Sequence, residues 1–145
     1  ARNVIGQGPR YNNPNKDITG VGKEFIIFNY DALEMYRSVY ICEGALNALT
    51  IGDRGIATMG KVVSKYQLNE LIKAPCQRYI ILLDFDAQKY AIELALKLIQ
   101  YKKVKLVLFE DNRDVNDLGR KAVLKKVYET RYATYQGLIK LKNSL

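Results

Sequence analysis

The sequence contains no histidine and only two cysteines, Cys42 and Cys76, among its 145 residues. A four-ligand zinc site is therefore not expected, because two cysteines without histidine do not supply the usual ligand set. The same absence removes every Ser-His and Cys-His nucleophile pair. Two cysteines in a chain that shows no sign of secretion also argue against a disulfide framework.

Long apolar runs are absent too. No stretch approaches the roughly 20 apolar residues that cross a bilayer, and no signal peptide opens the chain. The first residue is Ala1 rather than methionine, so we interpret the sequence as a piece of a longer protein. Its length is that of one domain, which can bury a hydrophobic core without disulfide or metal support.

Charge is plentiful but unevenly placed, with a formal net charge of +8. Residues 1–30 carry four basic and two acidic side chains, and residues 31–117 carry twelve of each. Residues 118–145 carry seven basic side chains against Glu129 alone. Such a basic tail indicates a surface for a polyanion such as nucleic acid. The alternative is a solvated basic helix that only aids solubility.

Strand-like and helix-like segments alternate from Val39 onward. The predicted strands contain VYIC, GIATMG, YIILLDF and VKLVLFE, and the helices between them contain ALNALTI, SKYQLNELIK and AQKYAIELALKLIQY. Ser64 is a plausible N-cap of the second of these helices. This order predicts an α/β fold with a parallel four-stranded sheet flanked by helices. We expect loops and short strands before it, and after Leu118 a basic helix or helix pair interrupted near Gly137.

Acidic side chains follow three of the four predicted strands. Glu43 follows the first strand, and Asp84 and Asp86 follow the third. The fourth strand leads into a segment that contains Glu110, Asp111, Asp114 and Asp117. Because parallel strands end at one edge of the sheet, we expect four or more carboxylates to cluster there. Asp84 and Asp86 also share strand parity, so both can point to one side.

Clustered carboxylates repel one another by several kcal/mol at about 4 Å, at a protein-surface dielectric. Either some are protonated or a divalent cation neutralises them. Oxygen ligands without His or Cys favour Mg²⁺ or Mn²⁺. Gly44 and Gly60, which follow strand ends, would allow a phosphate or metal close to the backbone. The alternative is that each acid is an ordinary N-cap or loop residue.

Taken together, VYICEGALNAL, GIATMG, YIILLDFDAQ and RDVND resemble the motifs of the Toprim domain in order and spacing. Upstream, GPRYNNP and GKEFIIFNYDAL resemble segments of bacterial and phage-type (DnaG-like) DNA primases and primase-helicases. The resemblance implies the C-terminal part of a primase N-terminal subdomain and a lead-in at 1–38, a Toprim domain at 39–117, and a basic helical tail at 118–145.

The resemblance also implies roles for individual residues. Glu43, Asp84 and Asp86 would be catalytic, and together with Asp114 they would bind the metal. Arg10, Tyr11 and Asn13 match a segment that lines the groove for template and nucleotide. Lys61 and Arg113 could contact phosphates, although a solvated lysine is the alternative for Lys61.

A primase would synthesise RNA primers on single-stranded DNA from NTPs with Mg²⁺ or Mn²⁺. The resemblance implies a replicative helicase as partner, no membrane association, and the cytoplasm of a bacterial or phage-infected cell. Departures from the pattern are Asn47 and Asn116, where primases usually have Asp, and a shortened segment AQKYA. The alternatives are therefore a Toprim nuclease or topoisomerase fragment, or a non-catalytic nucleic-acid-binding module.

Overall fold

A computed structural model describes residues 22–145. Four parallel strands form one sheet: β1 (Ser38–Cys42), β2 (Gly55–Ala57), β3 (Arg78–Leu82) and β4 (Lys103–Leu106). Their order across the sheet is β2-β1-β3-β4. The α-helices in the described residues are α1 (Ala32–Met35), α2 (Ala45–Ile51), α3 (Lys65–Lys73), α4 (Gln88–Leu98), α5 (Val115–Leu118), α6 (Arg120–Glu129) and α7 (Tyr135–Asn143). The predicted α/β fold is confirmed.

Each face of the sheet has its own hydrophobic core. Val39 and Ile41 of β1 face a core that also contains side chains of α1, α3, α4 and α7. Tyr40 and Cys42 face the other core, with side chains of α2, α5 and α6. This two-sided burial explains why β1 and β3 are apolar almost throughout. No helix in the described part of the chain is long and apolar enough to cross a membrane.

Both outer strands of the sheet have a backbone partner. At β2, Phe28 pairs antiparallel with Ala57. At β4, the amide of Ala133 donates to the carbonyl of Val104 at 2.7 Å. Unpaired edge strands invite association with other chains, and these two segments protect the edges.

Gln67 connects the lead-in segment to the sheet. Its side chain is 1% exposed and forms a capping box with Ser64, whose predicted role as N-cap of α3 is confirmed. The side-chain Nε2 also donates to the carbonyls of Ile26 at 2.7 Å and Thr58 at 2.8 Å. A buried amide satisfied in this way joins three segments that are distant in sequence.

The basic tail forms two helices, but the predicted break near Gly137 is wrong. The break lies between α6 and α7, and Gly137 is in the first turn of α7. There its amide donates to Thr134 Oγ1, the N-cap, at 3.0 Å. A Cβ at Gly137 would lie 2.9 Å from that oxygen, so glycine leaves room for the cap. Val123, Val127 and Leu138 extend from the tail into the two cores.

Candidate metal centre

Glu43, Asp84 and Asp86 lie together at the carboxyl edge of the sheet. One carboxylate oxygen of each lies within 4.8 Å of the others. The reason is the register of neighbouring strands: Cys42 of β1 pairs with Leu82 of β3, so the residues that follow leave the sheet side by side. Glu43 and Asp84 are half-buried, whereas Asp86 is exposed.

The sequence pattern suggested that strand parity places Asp84 and Asp86 on the same side, but the structure shows a different cause. β3 ends at Leu82, and Phe85–Ala87 form a 3₁₀ turn that the backbone of Asp84 begins. The Ala87 amide donates to the Asp84 carbonyl at 2.8 Å and closes this turn. The turn, rather than the pleat of a strand, therefore returns Asp86 to the side of Asp84. Similarly, β4 stops at Leu106, earlier than predicted.

The carboxylate of Glu43 is held in an unfavourable environment for a negative charge. Its Oε1 is buried and has no hydrogen-bond partner among the described residues. Burial, followed by the negative charges of Asp84 and Asp86, raises the pKa of Glu43 to about 7. Burial and then the charges of Asp114 and Asp86 also raise the pKa of Asp84. The hydrogen-bonding contact with Glu43 acts in the opposite direction and lowers the pKa of Asp84.

These residues fit a hard divalent cation. The donors are all carboxylate oxygens, which suit Mg²⁺ and Mn²⁺. A cation would supply the partner that Glu43 Oε1 lacks among the described residues, and its positive charge would favour the ionised forms of Glu43 and Asp84.

Asn47 has a role that sequence reasoning missed. The side chain is 5% exposed, and its Nδ2 donates to Asp84 Oδ1 at 3.3 Å. Its Oδ1 accepts from the backbone amide of Asn116 at 3.0 Å. The Asn116 side chain in turn accepts from Thr50 Oγ1 at 3.0 Å. Asn47 and Asn116, which stand where primases usually have Asp, thus form a neutral network that orients Asp84. These contacts span 37 and 69 positions of sequence, so no local signal reveals them.

Asp114 is not part of the group of three carboxylates. Its Oδ1 accepts from the Asp117 amide at 2.8 Å, and its own amide donates to Asp117 Oδ2 at 3.0 Å. This capping box begins α5. The expected cluster of four or more carboxylates is therefore reduced to three in the described residues. Asp114 still lies close enough to affect the pKa of Asp84.

The predicted basic residues have different surroundings. Lys61 Nζ lies 3.2 Å from Asp86 Oδ2, at the rim of the cluster. The Arg113 guanidinium pairs with Asp111 in its own loop at 2.9 Å. Arg10, Tyr11 and Asn13 lie outside the described residues.

The left-handed backbone at this edge belongs to Met59, with φ 66°, and not to a glycine. The Met59 amide donates to the Glu43 carbonyl at 2.8 Å and so joins the ends of β1 and β2. Gly44 has extended backbone, and a Cβ there would meet nothing within 4 Å. Neither Gly44 nor Gly60 is needed for a left-handed turn. The open space at Gly44 agrees with the close approach expected there.

Known structures share this α/β fold. No protein-family model matches the sequence, and no curated protein matches it. Solved primases do match in structure: the Escherichia coli primase catalytic core has a TM-score of 0.69 at 19% identity, covering 98% of this chain and 49% of that one. An Aquifex aeolicus primase with zinc-binding and RNA polymerase domains has a TM-score of 0.66 at 20% identity, covering 90% and 36%.

A third match is a DnaG primase catalytic domain bound to single-stranded DNA, with a TM-score of 0.70 at 17% identity and coverage of 98% and 49%. This chain therefore has the fold of part of DnaG-like primase catalytic cores, and the resemblance seen in the sequence is confirmed at the level of the fold. It spans half or less of the length of each of these primase chains.

Proposed function

We propose that this chain is part of a primase catalytic core that extends RNA primers on single-stranded DNA. Glu43, Asp84 and Asp86 would hold Mg²⁺ or Mn²⁺ at the carboxyl edge of the sheet. One observation carries the proposal: the Glu43 carboxylate, whose buried Oε1 has no hydrogen-bond partner among the described residues, lies beside two further carboxylates in a fold shared with primase cores. A replicative helicase as partner and a cytoplasmic location stay predictions from the resemblance.

The proposed reaction joins the 3′-hydroxyl oxygen of a primer to the α-phosphorus of an NTP, while the bond to the β-phosphate oxygen breaks, pyrophosphate leaves and the hydroxyl proton passes to solvent. A cation held by these carboxylates would supply positive charge next to the phosphates. Glu43 and Asp84 would hold the ion from the two adjacent strand ends. Asn47 keeps Asp84 turned toward the cluster through its 3.3 Å hydrogen bond. Lys61 provides an ammonium group at the rim.

Single-stranded DNA is the proposed partner of a basic and aromatic surface beside β4. Lys103 and Lys105 lie with their Nζ atoms 5.3 and 5.1 Å from the ring centre of Tyr132. Tyr132 is 43% exposed, and neither lysine has a carboxylate partner in the described part of the chain. Lys105 Nζ also donates to the carbonyl of Val127 at 3.0 Å. Ammonium groups that have no carboxylate partner among the described residues and lie next to an exposed ring suit a phosphate backbone with stacked bases.

Primer synthesis by the chain itself tests the proposal. The chain is incubated with single-stranded DNA, labelled NTPs and Mn²⁺, and short RNA is resolved on a gel. We expect synthesis by wild type and by Glu129→Gln, which removes one exposed carboxylate far from the site. Asp84→Asn should reduce synthesis by about 100-fold or more, because a metal ligand is lost. Cleavage of DNA without synthesis would favour a nuclease, and DNA binding without either reaction would favour a non-catalytic module.

Tyr132→Ala tests the DNA surface. Stacking of one base contributes about 1–3 kcal/mol, so affinity for a single-stranded oligonucleotide should fall by about fivefold or more. Tyr66→Ala is a matched control, because Tyr66 is also 43% exposed but packs edge-on against Phe25. Fluorescence anisotropy at fixed salt measures both. Equal affinities of the two variants would contradict the assignment of this surface.

A further inference from the structure

The three carboxylates of the cluster are not equivalent. Glu43 and Asp84 form an inner, half-buried pair, and Glu43 Oε1 has no donor among the described residues. Asp86 is the outer member, with 65% of its side chain exposed. Asp86 already has a cationic partner, since Lys61 Nζ lies 3.2 Å from its Oδ2. Only the inner pair therefore needs a cation that the described protein does not provide.

The formal charge of the cluster matches one divalent ion. Three carboxylates and the Lys61 ammonium together carry two negative charges. One divalent cation makes this group neutral. Two would leave it with two positive charges in the absence of a nucleotide, and the second would stand against Lys61 at close range.

Two further groups near the cluster each already use an oxygen in a hydrogen bond in the described structure. The Asn47 amide uses Nδ2 on Asp84 and Oδ1 on the Asn116 backbone. The Asp114 carboxylate accepts from the Asp117 amide in the capping box of α5. A second cation bound through Asn47 Oδ1 or Asp114 Oδ1 would have to break one of these hydrogen bonds, and one bound through Asp86 Oδ2 would have to displace Lys61.

We infer that this cluster binds a single divalent cation between Glu43 and Asp84, and that the Lys61 ammonium group neutralises Asp86 in place of a second cation. Lys61 is thus a charge-balancing residue that takes the place of a second ion. This inference rests on the metal site of the proposed function but not on primer synthesis.

A titration with Mn²⁺ tests the inference without any assay of activity. Free Mn²⁺ is followed by electron paramagnetic resonance, which gives the number of ions bound per chain. Wild type should bind one ion. Lys61→Met leaves Asp86 without a partner, so this variant should bind a second ion. The matched control is Lys65→Met, which removes the same charge from an exposed lysine nearby. It should bind one ion, as should Lys61→Arg, which keeps the positive charge.

The outcomes separate this inference from the proposed function. Two ions of similar affinity on wild type would overturn the inference and leave the metal site of the proposed function intact. One ion on Lys61→Met, as on Lys65→Met, would also overturn it. If no variant bound Mn²⁺, both the inference and the metal-dependent function would be wrong.

Discussion

Glu43→Gln should stabilise the metal-free protein at pH 8 and remove its response to metal. The charged Glu43 carboxylate is half-buried, its Oε1 has no hydrogen-bond donor in the described structure, and two carboxylates lie next to it. A glutamine amide has no charge and can donate to Asp84, as a protonated Glu43 would. We therefore expect Glu43, which suits metal binding, to lower the stability of the metal-free protein.

The pH dependence of this effect follows from the raised pKa of Glu43. The folded protein holds the proton up to about pH 7, whereas the unfolded chain releases it near the ordinary value of 4.5. Between these values the folded state binds more protons, so wild-type stability falls as the pH rises and levels off above 7. One pKa unit corresponds to about 1.4 kcal/mol, which sets an upper limit of about 3 kcal/mol. Because the group is partly solvated, we expect about 1–2 kcal/mol.

Urea unfolding of the two proteins in EDTA, from pH 4.5 to 8, measures this difference directly. Glu43→Gln should exceed wild type in free energy of unfolding at pH 8, and the difference should shrink toward zero at pH 4.5. Groups with unchanged surroundings contribute equally to both proteins and cancel. Glu129→Gln should follow wild type at every pH. The reasoning is refuted if Glu43→Gln is less stable at pH 8 or if its difference from wild type does not depend on pH.

Metal should reverse the order of stability. An ion at a concentration a hundredfold above its dissociation constant stabilises the folded state by about 2.7 kcal/mol. With Mn²⁺ at that level and pH 8, wild type should become the more stable protein, while Glu43→Gln should change little. A thermal shift on adding Mn²⁺ that is equal in both would show that Glu43 does not bind the ion.

Two further changes test the packing behind the site, with urea unfolding as the measurement. Gly55→Ala places a Cβ 2.4 Å from the carbonyl oxygen of Ala48, so α2 must move away from β2. The free energy of unfolding should therefore fall by about 2 kcal/mol or more. Gly44→Ala is the control, because a Cβ there meets open space, and it should cost at most about 1 kcal/mol. Equal losses would contradict this. Gln67→Leu removes the donor to three backbone carbonyls and should cost about 2–4 kcal/mol, while Asn69→Leu, exposed on the same helix, should change little. An unchanged Gln67→Leu would show that those bonds are replaceable.

The order of strands and helices could be predicted from sequence because the signals are local. Apolar runs such as Ile80–Leu83 predict strands covered on both faces, and Ser64 marks the start of α3. The meeting of Glu43 with Asp84 followed from one rule, that parallel strands end at one edge. The ends of elements were less predictable: β3 stops at Leu82, where a 3₁₀ turn takes over.

The ends of the two tail helices were also hard to predict from the sequence. A glycine in a helical pattern usually marks a break, but Gly137 serves the cap formed by Thr134. The real break lies between α6 and α7, where Ala133 pairs with the edge of β4. Pairing with a strand about 30 residues earlier in the chain leaves no local trace in the sequence.

By itself, the sequence determined which kind of metal site is possible. It has no histidine, and it places carboxylate oxygens at the ends of parallel strands. Only the tertiary structure decided how each side chain is used. Asn47 binds Asp84 and the backbone of Asn116, Asp114 caps a helix, and Lys61 pairs with Asp86. The physical reason is that a side chain beyond a strand end has no periodic constraint. Its direction is set by hydrogen bonds and charges from residues that only folding brings near.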